Sequence, residues 1–279
     1  MKLLVQIIFF SLILISCNQQ DKTVTTMPSG IKISLNTNNS SKWSNNSLQN
    51  GLELKMASNF LFLFSEKDYI NGLSPIDQMA ANWNNSISEV ILFKVPSETT
   101  SNKRYPNLVD YRDNEMGVYL IDDWFNELSP AALAITQFFG ITKNKGTNEE
   151  YLELIHADIL INTEQHYFSN DPYDETSYDI QSVILHEMGH FIGLQHNIKD
   201  PSVMAPHLRI NQSERSIYPA DANKVLDRYQ SMPVKTMETP TILGAIKSKT
   251  KIEIQRGIIE LRSNGKCYHY LNNELQEIH

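Results

Sequence analysis

Three histidines in His186-Glu187-Met188-Gly189-His190-Phe191-Ile192-Gly193-Leu194-Gln195-His196 constrain this chain more than any other feature. On an α-helix, His186 and His190 stand one turn apart on one face, so both imidazoles reach the same point. Gly193 ends such a helix, because glycine accepts a left-handed backbone at little steric cost. The chain then turns sharply and returns His196 as a third donor. Three imidazoles suit a tetrahedral zinc ion with one position left for water. Glu187, beside the first histidine, is placed to take a proton from that water. Upstream, residues 180, 183, 184 and 188 are apolar and no helix breaker intervenes, which predicts an amphipathic helix running into the motif. Ser177 or Asp179 caps its start.

The eleven-residue motif resembles the metzincin clan of zinc endopeptidases. The following Asp200-Pro201-Ser202-Val203-Met204-Ala205-Pro206 resembles the clan's Met-turn, in its matrixin (matrix-metalloproteinase-like) form. The resemblance implies a methionine floor, Met204, beneath the metal ligands. Pro206 stands where astacin-like and serralysin-like branches carry a tyrosine, which favours the matrixin branch. Residues 221–229 are similar to the last helix of the catalytic domain. Further upstream, Ser74-Pro75 with Ile76, Met79, Ala80 and Trp83 reads as a capped amphipathic helix similar to the first matrixin helix. Residues 59–64, 89–95 and 117–121 read as strands.

Residues 156–162 resemble the family's edge strand, which pairs with extended substrate. That likeness makes Ala157, Asp158, Ile159 and Leu160 candidate substrate-binding residues, acting by β-augmentation. His207, just after the Met-turn, is a candidate lining residue of the specificity pocket. The implied fold is α+β: a twisted, mostly parallel sheet with an antiparallel edge strand and three main helices, plus a small C-terminal β-hairpin segment. The implied reaction is peptide-bond hydrolysis, with Glu187 as general base and then acid. One departure concerns the interval between 162 and 179, which is short and holds a single histidine, His166, with Asp171, Asp174 and Glu175. One histidine cannot rebuild a three-histidine structural site, so one zinc is expected. The acidic residues read as a solvated loop rather than a calcium site, which needs six or more oxygens.

The N-terminus sets the expected compartment. An apolar run of about 13 residues after Met1-Lys2 is too short to span a bilayer and suits a signal-peptide core. It ends in Leu14-Ile15-Ser16-Cys17, which resembles a bacterial lipobox. This implies cleavage before Cys17 and its acylation, and several acyl chains give stable anchoring. Asn18 is not the aspartate of inner-membrane retention, so an outer-membrane destination is expected in a Gram-negative cell. Residues 17–50 are rich in Asn, Ser, Thr, Gln and Lys and read as a flexible tether. They contain no cysteine besides Cys17, so no N-terminal cysteine switch is expected.

The mature chain keeps one cysteine, Cys267, which excludes an intramolecular disulfide. A net charge of −8 without any basic run argues against nucleic-acid partners. A monomer acting on peptides or proteins is expected. At the C-terminus, 258–262 and 266–271 flank Ser263-Asn264-Gly265, a hairpin signature, and Asn272-Asn273 starts a second hairpin ending at His279. Cys267 reads as a buried thiol without an assignable base, His156 as bordering the edge strand, and His166, His269 and His279 as loop or solvent-facing residues. The expected organisation is a signal peptide (1–16), a tether (17–50), a matrixin-like domain (51–235) and a β-hairpin appendage (236–279). The second reading is a membrane-anchored binding lipoprotein whose metal stabilises a latent or non-proteolytic site.

Overall fold

The computed structural model describes residues 41–88, 90–229 and 253–279. The expected signal peptide, Cys17 and most of the expected tether lie outside the described residues. In chain order come β1 (Ser41–Trp43), α1 (Asn45–Leu48), β2 (Leu54–Ala57), α2 (Pro75–Asn85), β3 (Thr99–Thr100), β4 (Met116–Ile121), β5 (Ala132–Lys143) and β6 (Tyr151–Asn162). There follow β7 (Phe168–Ser169), β8 (Tyr178–Asp179), α3 (Ile180–Phe191), α4 (Pro219–Tyr229), β9 (Ile254–Arg262), β10 (Tyr268–Leu271) and β11 (Glu274–Ile278). Among the described residues no helix is long and apolar enough to cross a membrane.

One sheet takes in nine strands in the order β11-β10-β9-β5-β6-β4-β2-β3, with β1 also on β6. Strands β1, β2, β3, β4 and β6 pair in parallel, and β5, β9, β10 and β11 add an antiparallel flank. This is the expected α+β architecture with α2, α3 and α4 as its main helices. The antiparallel flank is wider than a single edge strand, because the C-terminal strands continue the same sheet.

Local chemistry explains most elements. Ser74 and Asp77 form a reciprocal cap at the start of α2: Asp77 N–H donates to Ser74 Oγ at 3.1 Å, and Ser74 N–H donates to Asp77 Oδ2 at 3.2 Å. Pro75 fits the first helical turn, where its missing N–H is no loss. Ile76, Met79, Ala80 and Trp83 then fall on the buried face. The hairpin between β10 and β11 turns at Asn272 and Asn273, both with positive φ (51° and 67°), as the short turn requires.

Several expectations need correction. Residues 59–64 are not a strand: Ser58–Phe62 is a 3-10 helix, and the strand precedes it at β2. Phe60 and Phe64 are buried four residues apart while Phe62 is 92% exposed, a helical rather than an alternating pattern. Of the strand expected at 89–95, the described residues 90–95 form only a single bridge, between Phe93 and Leu52. There the Leu92 and Phe93 N–H groups both donate to the Asn84 side chain at 2.9 Å, which diverts them from a ladder. The expected tether ends before Ser41, since β1 pairs with β6 and the Trp43 indole donates to Phe191 O at 2.7 Å.

The most consequential correction concerns 156–162. This stretch is the end of β6, an interior strand, paired along β5 on one side and with β1 and then β4 on the other. Ala157, Asp158, Ile159 and Leu160 are all fully buried and offer no free backbone edge to a substrate. Asp158 instead ties the sheet together, accepting from Gly117 N–H at 2.9 Å and contacting His156 Nε2 at 2.7 Å. The strand beside it, β5, has no alternation to betray it: Ala132–Gly140 is buried without interruption.

Candidate metal centre

Asp179 begins the central helix α3 by accepting from Ser182 N–H at 3.0 Å, and the Arg215 Nε holds both its oxygens at 3.0 and 3.1 Å. Every residue of α3 is buried. The Trp83 indole N–H reaches across from α2 to Leu185 O at 2.9 Å. Gly189 is needed for contact rather than conformation: a Cβ there would sit 2.2 Å from Met204 Sδ. Gly193 takes a φ of 86°, and a side chain on it would strike Ser41 O at 2.0 Å. The Arg228 guanidinium donates to both Gly193 O and Ser41 O, clasping the turn to β1.

The turn brings His196 back to the helix. The three Nε2 atoms form a triangle, with His190 3.0 Å from both His186 and His196, and His186 to His196 at 3.2 Å. His186 Nδ1 lies 2.7 Å from Val203 O and His190 Nδ1 lies 2.9 Å from Leu194 O. A carbonyl only accepts, so each Nδ1 carries the proton and each Nε2 presents a lone pair. Burial holds His186 down to about 4, and burial with the neighbouring imidazoles keeps His190 and His196 well below the usual histidine range. Neutral lone pairs facing one another repel unless a cation lies between them. Tetrahedral zinc with bonds of about 2.05 Å to nitrogen needs donors about 3.3 Å apart, close to this triangle. The residues therefore fit the ion.

Glu187 is fully buried beside the triangle. Its Oε2 accepts from Thr136 Oγ1 of β5 at 2.6 Å, while Oε1 is buried without a hydrogen-bond partner. Burial pushes the carboxyl up to about 8, against the opposing hydrogen bond from Thr136. Such a group exchanges protons near neutrality. Met204 is fully buried under the helix at Gly189. Its turn is fixed from α4: Asp221 accepts from Val203 N–H at 2.9 Å and from the Ser202 hydroxyl. Neither Thr136 nor Asp221 stood out in the sequence as a supporting residue, since each acts across more than 15 positions.

The C-terminal segment also reaches this centre. Cys267 is buried, and its Sγ lies 3.3 Å from His196 Nε2. His269 Nε2 lies 2.8 Å from His196 Nδ1, within hydrogen-bond reach, and so orients the third histidine. The His279 ring is centred 5.4 Å from that of His196. The expectation that His269 faces solvent is therefore wrong: it is buried. The only local hint was the i, i+2 spacing of Cys267 and His269, which puts both on one face of an extended chain.

Among the described residues two groups can hold a metal, His186-His190-His196 and His196-His269-His279. His207, His156 and His166 belong to neither. His207 is half-buried, and its backbone bridges to Arg262. His156 is buried in the sheet, and His166 contacts Pro130 O at 3.0 Å. Asp171 and Asp174 shape their own loop, accepting from the N–H groups of Tyr173 and Thr176 at 3.0 and 2.8 Å.

Residues 125–230 match the model of the matrixin family of peptidases. That span holds β5, β6, α3, the Met204 turn and α4. It is a matrixin-like metzincin domain, of a family of zinc-dependent metallopeptidases. The match stops before β9, so β9–β11 and Cys267 lie beyond the matched residues. A search of curated proteins finds no match to the chain.

Proposed function

We propose that the protein is a zinc-dependent endopeptidase in which His186, His190 and His196 hold the ion and Glu187 handles the proton. The observation that carries this reading is the combination of three converging Nε2 lone pairs with a buried, unpartnered Glu187 Oε1. A metal-stabilised binding site has no use for that carboxylate.

Zinc bound there acidifies a water and polarises the substrate carbonyl. The residues supply the rest. Val203 O and Leu194 O orient two imidazoles, and His269 orients the third. Thr136 holds one Glu187 oxygen, leaving the other free to accept a proton from the attacking water. Glu187 then donates that proton to the leaving amine, which restores the carboxylate for the next turnover. The low-dielectric surroundings of Glu187 raise its basicity into the useful range.

The same reading assigns the lipobox-like Leu14-Ile15-Ser16-Cys17 to a lipid anchor at Cys17, with the enzyme held at the cell envelope, at the outer membrane of a Gram-negative cell. It rests on sequence alone, as does the monomeric state. The test of the activity is cleavage of an unbiased peptide library by the chain from residue 18 onward, beside Glu187→Ala, with zinc quantified in both. Each protein is also measured with Cys267→Ser, because that thiol abuts His196. The expected result is about one zinc per chain throughout and cleavage only where Glu187 is present. Equal cleavage with and without Glu187 would overturn its role. Zinc without cleavage in any form would favour the binding lipoprotein.

A further inference from the structure

The C-terminal strands occupy the place where a substrate of this centre must lie. Strand β5 carries Thr136 against Glu187, beside the metal site. One of its sides is taken by β6, and its other side is covered from Ala132 to Ile141 by β9, running antiparallel. The register sets Ile259 opposite Thr136, directly beside the general base. Farther along, Arg262 bridges to His207 on the segment after the Met204 turn. Strand β9 thus lies between β5 and that segment, as an extended peptide would. Ile258, Ile259 and Leu261 are buried in this position.

From β9 the chain turns at Gly265 and delivers Cys267 to the metal centre. The backbone is pinned there by two hydrogen bonds of 3.0 Å between Cys267 and His279. Its sulfur is 3.3 Å from the metal-facing nitrogen of His196. The sulfur, turned toward Glu260 O, stands outside both groups that can hold a metal, so ligation needs the Cys267 side chain to swing toward the three imidazoles, where a zinc-bound sulfur at about 2.3 Å sits about 3.6 Å from each coordinated nitrogen.

We propose that Cys267 is the fourth ligand of the metal, and that 254–279 forms a built-in inhibitory segment filling the cleft with β9. The proposal rests on the zinc-peptidase reading of the same site. A thiolate in the fourth position displaces the water that Glu187 must deprotonate, and β9 takes the backbone edge a substrate needs. His269 belongs to the same device, because it holds His196 from the segment that carries the cysteine. Release of the Cys267 sulfur from the ion then frees β9 to part from β5 and admit substrate.

The test uses residues 18–279 loaded with cobalt in place of zinc, where a thiolate ligand produces a charge-transfer absorption in the near ultraviolet. Wild type is expected to show that band, and Cys267→Ser to lose it at unchanged metal stoichiometry. With zinc, Cys267→Ser is expected to cleave peptides at least about tenfold faster than wild type. Cleavage should vanish in Cys267→Ser/Glu187→Ala. Absence of the band from wild type holding one cobalt would overturn the ligation, even if the serine variant failed to fold. A band with equal cleavage by wild type and Cys267→Ser would overturn the inhibitory role. A band with no cleavage by zinc-loaded Cys267→Ser would uphold the ligation and count against the peptidase reading alone.

Discussion

Thr136 Oγ1 donates to Glu187 Oε2 at 2.6 Å, joining the sheet to the residue proposed to move the proton. A hydrogen bond to a charged group is worth about 1.5–3 kcal/mol. In the Cys267→Ser background, Thr136→Val should therefore lower kcat by about tenfold or more while preserving shape. KM and zinc content should hardly move, because the substitution keeps the β5 backbone and removes only the hydroxyl that is turned to Glu187. Steady-state kinetics with parallel zinc analysis check this; an unchanged kcat would show that Glu187 is positioned without Thr136.

Asp221 links the last helix to the floor of the metal site. It is fully buried and accepts from Val203 N–H and the Ser202 hydroxyl, the two residues just before Met204. Asp221→Ala leaves those donors unsatisfied, at a cost of about 1–3 kcal/mol. The turn carries Val203 O, which orients His186, so zinc retention should weaken together with stability. Chemical denaturation and competition with a chelator measure the two losses. A variant as stable as wild type would show that the turn holds itself.

Acid stability has a separate source. Glu115 accepts from Lys55 at 2.9 Å and also pairs with Lys103 and Thr100, which lowers its carboxyl to about 2. A depressed carboxylate stabilises the fold fully above its unfolded value, about 4.3. That contribution fades as the pH falls through the interval down to about 2. Glu115→Gln should therefore lower the melting temperature at neutral pH and narrow the gap to wild type near pH 2. Screening by solvent keeps the effect modest. Parallel melting curves in that interval should converge, and a constant offset would place the effect elsewhere.

The metal centre was legible because its determinants are local. The spacing of His186 and His190, the stop at Gly193 and the return at His196 are all written within eleven residues. So were the cap at Ser74 and the turns at Asn264-Gly265 and Asn272-Asn273. The arrangement of the sheet was not. Strands β5 and β6 are both apolar and buried along most of their length, so alternation could not tell which one lay nearer the site. The pairing of Thr136 with Ile259 spans more than 120 positions and leaves no periodic trace. For the same reason, a hairpin readable in itself concealed that its cysteine and histidine end beside His196.

Because β9 completes the flank of the sheet, its departure has a second effect besides opening the cleft. It would bare roughly ten consecutive residues of β5 and the apolar surface once covered by Ile258, Ile259 and Leu261, the kind of template on which chains self-associate. The released form would then be less soluble than the closed one. Its working lifetime would be set by how soon a peptide, or a second molecule, reoccupied that surface.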